Sequence, residues 1–164
     1  MKKFILLLII PFISFAQNSN ISHMLHETLN SKERQLIINA NEKLPNNQDV
    51  NFYFNTAWNY VKEDGEGSYD AIACFYRTLA MVKDGGVYSD LGNSFRGGLK
   101  KYAAAEYYYS QALQMGWIKH FIFYNRAICR YELVNMDGCR EDLSISIFLG
   151  WPKDHYNLKE KCQN

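Results

Sequence analysis

Apolar positions along the chain recur with a period of 34 residues. Gly116-Trp117 reappears as Gly150-Trp151, and the same shift carries Ala105 to Cys139, Tyr109 to Leu143, Leu113 to Ile147 and Met115 to Leu149. Shifted backward, the set falls on Ala71, Phe75, Leu79 and Met81. In every copy one small residue is followed by three bulky ones at spacings of four, four and two, which lines them up on one stripe of an amphipathic helix.

A second helix precedes each of these. The segments Phe54 to Tyr60, Ser89 to Phe95 and Tyr124 to Arg130 align, with Ala57, Gly92 and Ala127 spaced by 35, and glycines punctuate the breaks between helices. Gly92 is the exception, lying inside a helical pattern. With Ala57 and Ala127 it forms a small-residue site expected to face Ala71, Ala105 and Cys139, where a bulky side chain would overpack the helix pair by about 1 to 3 kcal/mol. One such hairpin cannot cover both its apolar faces, so three copies predict a stacked array.

Both ends of the array carry further signals. Residues 20 to 44 look helical, with Ile21, Met24, Leu25 and Leu29 on one stripe, Leu36, Ile37, Ala40 and Leu44 on another, and Asn30-Ser31 as a cap between them. Lys153 to Cys162 predicts a short polar helix over the last copy. Ahead of everything, Met1-Lys2-Lys3, an apolar stretch from Phe4 to Phe15 and the small residues around Ala16 read as a secretory leader cleaved before Gln17. A dozen apolar residues span about 18 Å as a helix, short of the roughly 30 Å of a bilayer core, so no membrane anchor is expected after leader removal. The organisation is therefore a signal peptide at 1–16, an N-terminal helical segment at 17–50, three repeats at 51–151 and a C-terminal capping helix at 152–164.

The second copy reads Leu91-Gly92, Phe95, Tyr102, Ala105, Tyr109, Ala112-Leu113. In this it resembles the tetratricopeptide repeat family, with one residue inserted near Gly97-Gly98. The resemblance covers about residues 52 to 151, and the style of the leader is that of small exported bacterial proteins. The third copy departs from the pattern, with Arg126-Ala127 for Leu-Gly, Cys139 for the alanine and Ser146 for the later alanine. The fold class implied is all-α: an α-solenoid of three such hairpins with the N-terminal helical segment and the short capping helix.

In that family the first helix of each repeat lines a concave groove whose exposed positions choose the ligand. Here those positions are Phe54, Trp58 and Val61, then Ser89, Asn93 and Arg96, then Phe121, Tyr124, Ile128 and Tyr131. The set is aromatic and poor in charge, so the resemblance implies docking of a peptide or helix by apolar contacts. The family's carboxylate-gripping variety uses lysine, asparagine and arginine, whereas the corresponding places hold Phe54, Trp58, Asp90, Phe121 and Asn125. A Cys139–Cys162 disulfide is expected where the last long helix meets the capping helix, an ending also seen in small exported members of the family; Cys129–Cys139 is the competing pairing, and Cys74 and Cys129 otherwise read as core residues.

Composition narrows the rest. The 164 residues are 48% hydrophobic and 21% charged, with 18 Lys+Arg against 17 Asp+Glu, so the chain can bury a core and lacks the basic footprint of nucleic-acid binding. His23-x-x-His26 beside Glu27 is a conceivable metal site, but such sites need three or four converging ligands and no further His or Cys is in reach, so solvated histidines are the simpler reading. His120 and His155 stand alone, and Glu63-Asp64-Gly65-Glu66 falls in a turn. No phosphate loop, nucleophile elbow or zinc cluster is present. The expectation is a non-enzymatic protein-binding module or scaffold without cofactor, periplasmic or extracellular. The alternatives are a structural subunit of an envelope assembly using its convex face and, behind that, a metal-binding or enzymatic role.

Overall fold

The computed structural model describes residues 21–151, 154 and 156–163. The expected leader at 1–16, and His155, lie outside them. Short polar side chains set where the helices begin, by accepting backbone N–H groups that no helical turn can satisfy. Asn30 opens α1 (Ser31–Lys43) in a reciprocal box with Glu33. Asp49 opens α2 (Val50–Asp64), Ser68 opens α3 (Tyr69–Met81), and Asp84 opens α4 (Gly85–Asn93) through the N–H groups of Gly86 and Val87. α5 (Tyr102–Gln114) and α6 (His120–Glu132) start without a side-chain cap, whereas Asn135 caps α7 (Met136–Phe148); α8 (Leu158–Lys161) is a single turn. Among the described residues all regular structure is helical.

The repeated Gly-Trp pair is a helix stop. Gly116 and Gly150 take φ +80° and +94°, the N–H groups of Trp117 and Trp151 donate back to the carbonyls of Ala112 and Ser146, and those of Gly116 and Gly150 donate to Leu113 and Ile147. That is the Schellman arrangement, which needs a residue at ease in left-handed backbone.

The helices pack as consecutive pairs, α2 on α3, α4 on α5 and α6 on α7, with α3 also against α4 and α5 against α6. The small-residue positions Ala57, Gly92, Ala127, Ala71, Ala105 and Cys139 are all buried. At Gly92 the close neighbour is the ring of Tyr109: a methyl added there would lie 2.6 Å from Cε1. The restriction on side-chain size thus comes from an aromatic ring one turn along α5 from the expected partner Ala105. The insertion near Gly97-Gly98 is absorbed as a π turn over Ser94–Gly98, in which Leu99 N–H donates to Ser94 O.

Three expectations are corrected. Met81, Met115, Ile147 and Leu149 end their stripes exposed, at or just past the last turns of α3, α5 and α7. Residues 21–30 form only a short 3-10 turn, Ser22–Met24, before an irregular run to Asn30. The reason is Arg34, whose guanidinium takes the carbonyls of Leu25, His26 and Leu29 and so removes helical acceptors, while Leu25 and Leu29 still bury. Finally, among the described residues the C-terminal helix is confined to Leu158–Lys161, with Asp154, Tyr156 and Asn157 ahead of it outside any helix; Lys153, where it is expected to begin, lies outside the described residues.

The third copy's departures each have a use. Arg126 forks onto the fully buried Asp142, Nε to Oδ2 at 2.8 Å and Nη2 to Oδ1 at 2.7 Å, and its Nη1 reaches Ser110. Ser146 Oγ donates to the His120 carbonyl. Cys139 and Cys162 stand at disulfide distance with Cα atoms 6.0 Å apart, and Cys74 and Cys129 are buried thiols.

Candidate functional site

The face formed by α2, α4 and α6 holds the ten groove positions, and the structure divides them. On α2, Trp58 is 38% exposed and rests edge-on against buried Phe75, ring centroids 6.3 Å apart; Phe54 leans on the same ring at 6.4 Å, and Val61 is half-buried. Phe75 therefore acts as a rigid backing that holds both aromatics outward. Asn93 and Arg96 are also half-buried and reachable.

Ser89, Tyr124 and Ile128 are buried and cannot be contact residues as expected. For the last two the cause is the C-terminal segment. Trp151 packs its ring 4.9 Å from that of Tyr124, Asp154 accepts the Tyr124 hydroxyl, and Leu158 and Cys162 complete a small core with Ile128. Lys161 Nζ sits 5.5 Å over the ring of half-buried Tyr131, and Phe121 is half-buried too. The α6 part of the face is thus closed by α8, while the α2 and α4 part is open.

The described part of the N-terminal segment, 21–50, does not cover that open part. α1 packs on α3, on the opposite side of the first pair, and the residues before it reach α5: His26 lies 5.2 Å and 5.9 Å from the rings of Tyr107 and Tyr108, and Lys101 pairs with Glu33 at 3.1 Å.

Between α2 and α4, Trp58, Val61, Glu66, Phe75, Asp90, Asn93 and Ser94 line a small cleft of about 20 Å³. A wider hollow of about 290 Å³ lies toward the helix starts, walled by Val50, Phe54, Val82 and Val87. Polar groups knit the floor. Arg96 Nε donates to the Tyr109 hydroxyl at 3.2 Å, that hydroxyl donates to Asn93 Oδ1 at 2.8 Å, and Asn125 Nδ2 donates to the same oxygen at 3.2 Å, joining α4, α5 and α6. Asp90 is the chemically unusual member: burial, then the nearby carboxylates of Asp84 and Glu66, push its carboxyl up to about 7. Sequence reasoning reached Asp90 only as a position unsuited to a carboxylate clamp and missed Glu66 as its neighbour; only the turn after Gly65, φ +86°, returns Glu66 to the cleft.

The arrangement can hold an apolar side chain against Trp58 and Phe54 and offer it hydrogen-bonding groups beside them. Among the described residues no group of three or more His, Cys, Asp or Glu gathers as a metal site. His23 is exposed, and His26 Nδ1 is 3.1 Å from Thr28 Oγ1, with burial lowering its pKa. No described helix is long and apolar enough to cross a membrane. No protein-family model, no curated protein and no solved structure matches this chain.

Proposed function

We propose that the chain is a small exported bacterial protein of tetratricopeptide-like repeats, a non-enzymatic binding module that takes a peptide or helix on the open face of α2 and α4. The observation that carries this reading is the exposed Trp58 held by Phe75, on a face that the described part of the N-terminal segment leaves uncovered. Aromatic anchors of this sort, backed by a rigid neighbour and flanked by polar groups, are the residue types that dominate binding energy. The hairpin pairing and the 34-residue period support the repeat assignment, and the leader supports export. The contact set is Phe54, Trp58, Val61, Asn93 and Arg96, joined by Glu66 and Asp90.

Trp58→Ala tests it. Capture of the partner from envelope extracts should be lost, while Tyr107→Ala, an exposed substitution on the opposite side, leaves it intact; retention by Trp58→Ala would refute the groove.

A second reading has its own support. Met81, Val82, Met115, Ile118 and Phe148 are exposed where α3, α5 and α7 end, Phe148 by 88%. Such an edge fits a structural subunit of a larger assembly. Loss of capture by Phe148→Ser with Trp58→Ala unaffected would favour it.

A further inference from the structure

Arg77 on α3 is a buried cation with no counter-ion among the described residues. It is 6% exposed, and no ion pair among the described residues includes it. Its hydrogen bonds go to neutral oxygens: Nε to Asn41 Oδ1 at 2.5 Å, and Nη2 to Asn41 O at 3.4 Å and Asn46 Oδ1 at 3.3 Å. The guanidinium also lies 5.7 Å from the centre of the Tyr53 ring. A guanidinium has five N–H donors, and Nη1 has no hydrogen bond among the described residues. Arg77 itself borders open space.

That space is a cavity of about 470 Å³ lined by Arg77, Asn41, Asn46, Ser22, Glu42, Ile21 and Ile38. Its size lies within the range of small-molecule sites, and its lining is mostly polar, with Arg77 as its one cation. Holding a buried charge without a partner is costly, and a bound anion would relieve that cost. Glu42 lines the same cavity without pairing to Arg77. Its repulsion grows with the charge of the guest, so it disfavours a dianion more than a monoanion. Ile38, half-buried, supplies a surface for a hydrocarbon body.

We propose that this cavity is a binding site for a small monocarboxylate with an apolar tail, its carboxylate on Arg77 and its tail against Ile38. The site is separate from the α2 and α4 face and does not depend on the binding role assigned there.

The test follows the Arg77 Nε–H resonance of ¹⁵N-labelled protein during titration with sodium butyrate, with inorganic phosphate and sodium chloride at matched ionic strength. The expected result is a saturable shift with butyrate alone. Arg77→Met removes the reporter and a tie to α1, so the deciding variant is Asn46→Asp. It places a carboxylate beside Nη2 and should weaken butyrate binding at least about tenfold, the factor for losing a hydrogen bond to a charged group. Saturation by phosphate but not butyrate would overturn the monocarboxylate assignment. A butyrate response no different from chloride, or one undiminished in Asn46→Asp, would overturn the site.

Discussion

Arg126 and Asp142 meet through two parallel bonds, with Asp142 fully buried and Arg130 adding a third contact to it at 3.1 Å. By repeat alignment Arg126 stands where the second copy has Leu91, and Asp142 where it has Tyr108. The third pair therefore places an ion pair at two positions that the second fills with side chains of the hydrophobic core. Removing one partner from a buried pair strands the other, so Asp142→Ala should cost about 3 to 5 kcal/mol. The double variant Arg126→Leu with Asp142→Leu should melt above the single one, because Arg126 is no longer stranded and Arg130 keeps its pair with Glu106. Urea unfolding of the three proteins decides it.

Val134 holds φ +61° at the end of α6, a backbone that a β-branched residue adopts at a cost, and its side chain is 77% exposed. The N–H groups of Val134 and Asn135 donate to Tyr131 and Arg130, the same stop that glycine makes at Gly116. Val134→Gly should therefore stabilise the protein by about 1 kcal/mol, the relieved strain exceeding the added freedom of the unfolded chain. A lower urea midpoint in the variant would contradict this.

Asp90 gives stability a pH dependence of definite sign. Its carboxyl titrates near 7 in the folded chain, against 3.8 ordinarily, because of burial and then Asp84 and Glu66. The folded state therefore binds more protons than the unfolded one between those values, and this contribution to stability is lost as pH rises through the window. Asp90→Asn abolishes the effect. Its melting temperature should gain on that of the parent protein from about pH 4 to about pH 8. A constant difference across that range would contradict the assignment.

The bond between Cys139 and Cys162 closes a loop with a sequence separation of 23. Loop closure of that length is worth about 3 kcal/mol by restricting the unfolded chain. Reduction, or Cys162→Ser, should lower stability by about that amount and raise amide exchange at Leu158 first, since α8 has one turn and few contacts of its own. Unchanged exchange at Leu158 after reduction would show that Trp151 and Leu158 hold the segment unaided.

What was legible beforehand followed from local chemistry. The Gly-Trp pairs announced helix stops because only a few residues tolerate left-handed backbone, and Asn30 announced a start because its side chain can replace a missing acceptor. The Cys139–Cys162 pairing was legible as well, since two helices joined by a short turn must bring those ends together. Contacts made at long range were not. Arg34 capturing the carbonyls of Leu25, His26 and Leu29 leaves no trace in periodicity, so an apolar stripe read as a helix that does not form. Likewise, burial of Tyr124 and Ile128 depends on Trp151, Asp154 and Leu158 folding back over α6, and the first-helix pattern alone gives them the same standing as Trp58.

Photo-crosslinking distinguishes the three available faces in one experiment. A benzophenone amino acid placed at Trp58, at Tyr107 or at Phe148 reports, respectively, on the α2 and α4 face, the opposite side and the helix-end edge. The open-groove account predicts a discrete protein adduct from position 58 and none from the other two. An adduct confined to position 107 or 148 would contradict it.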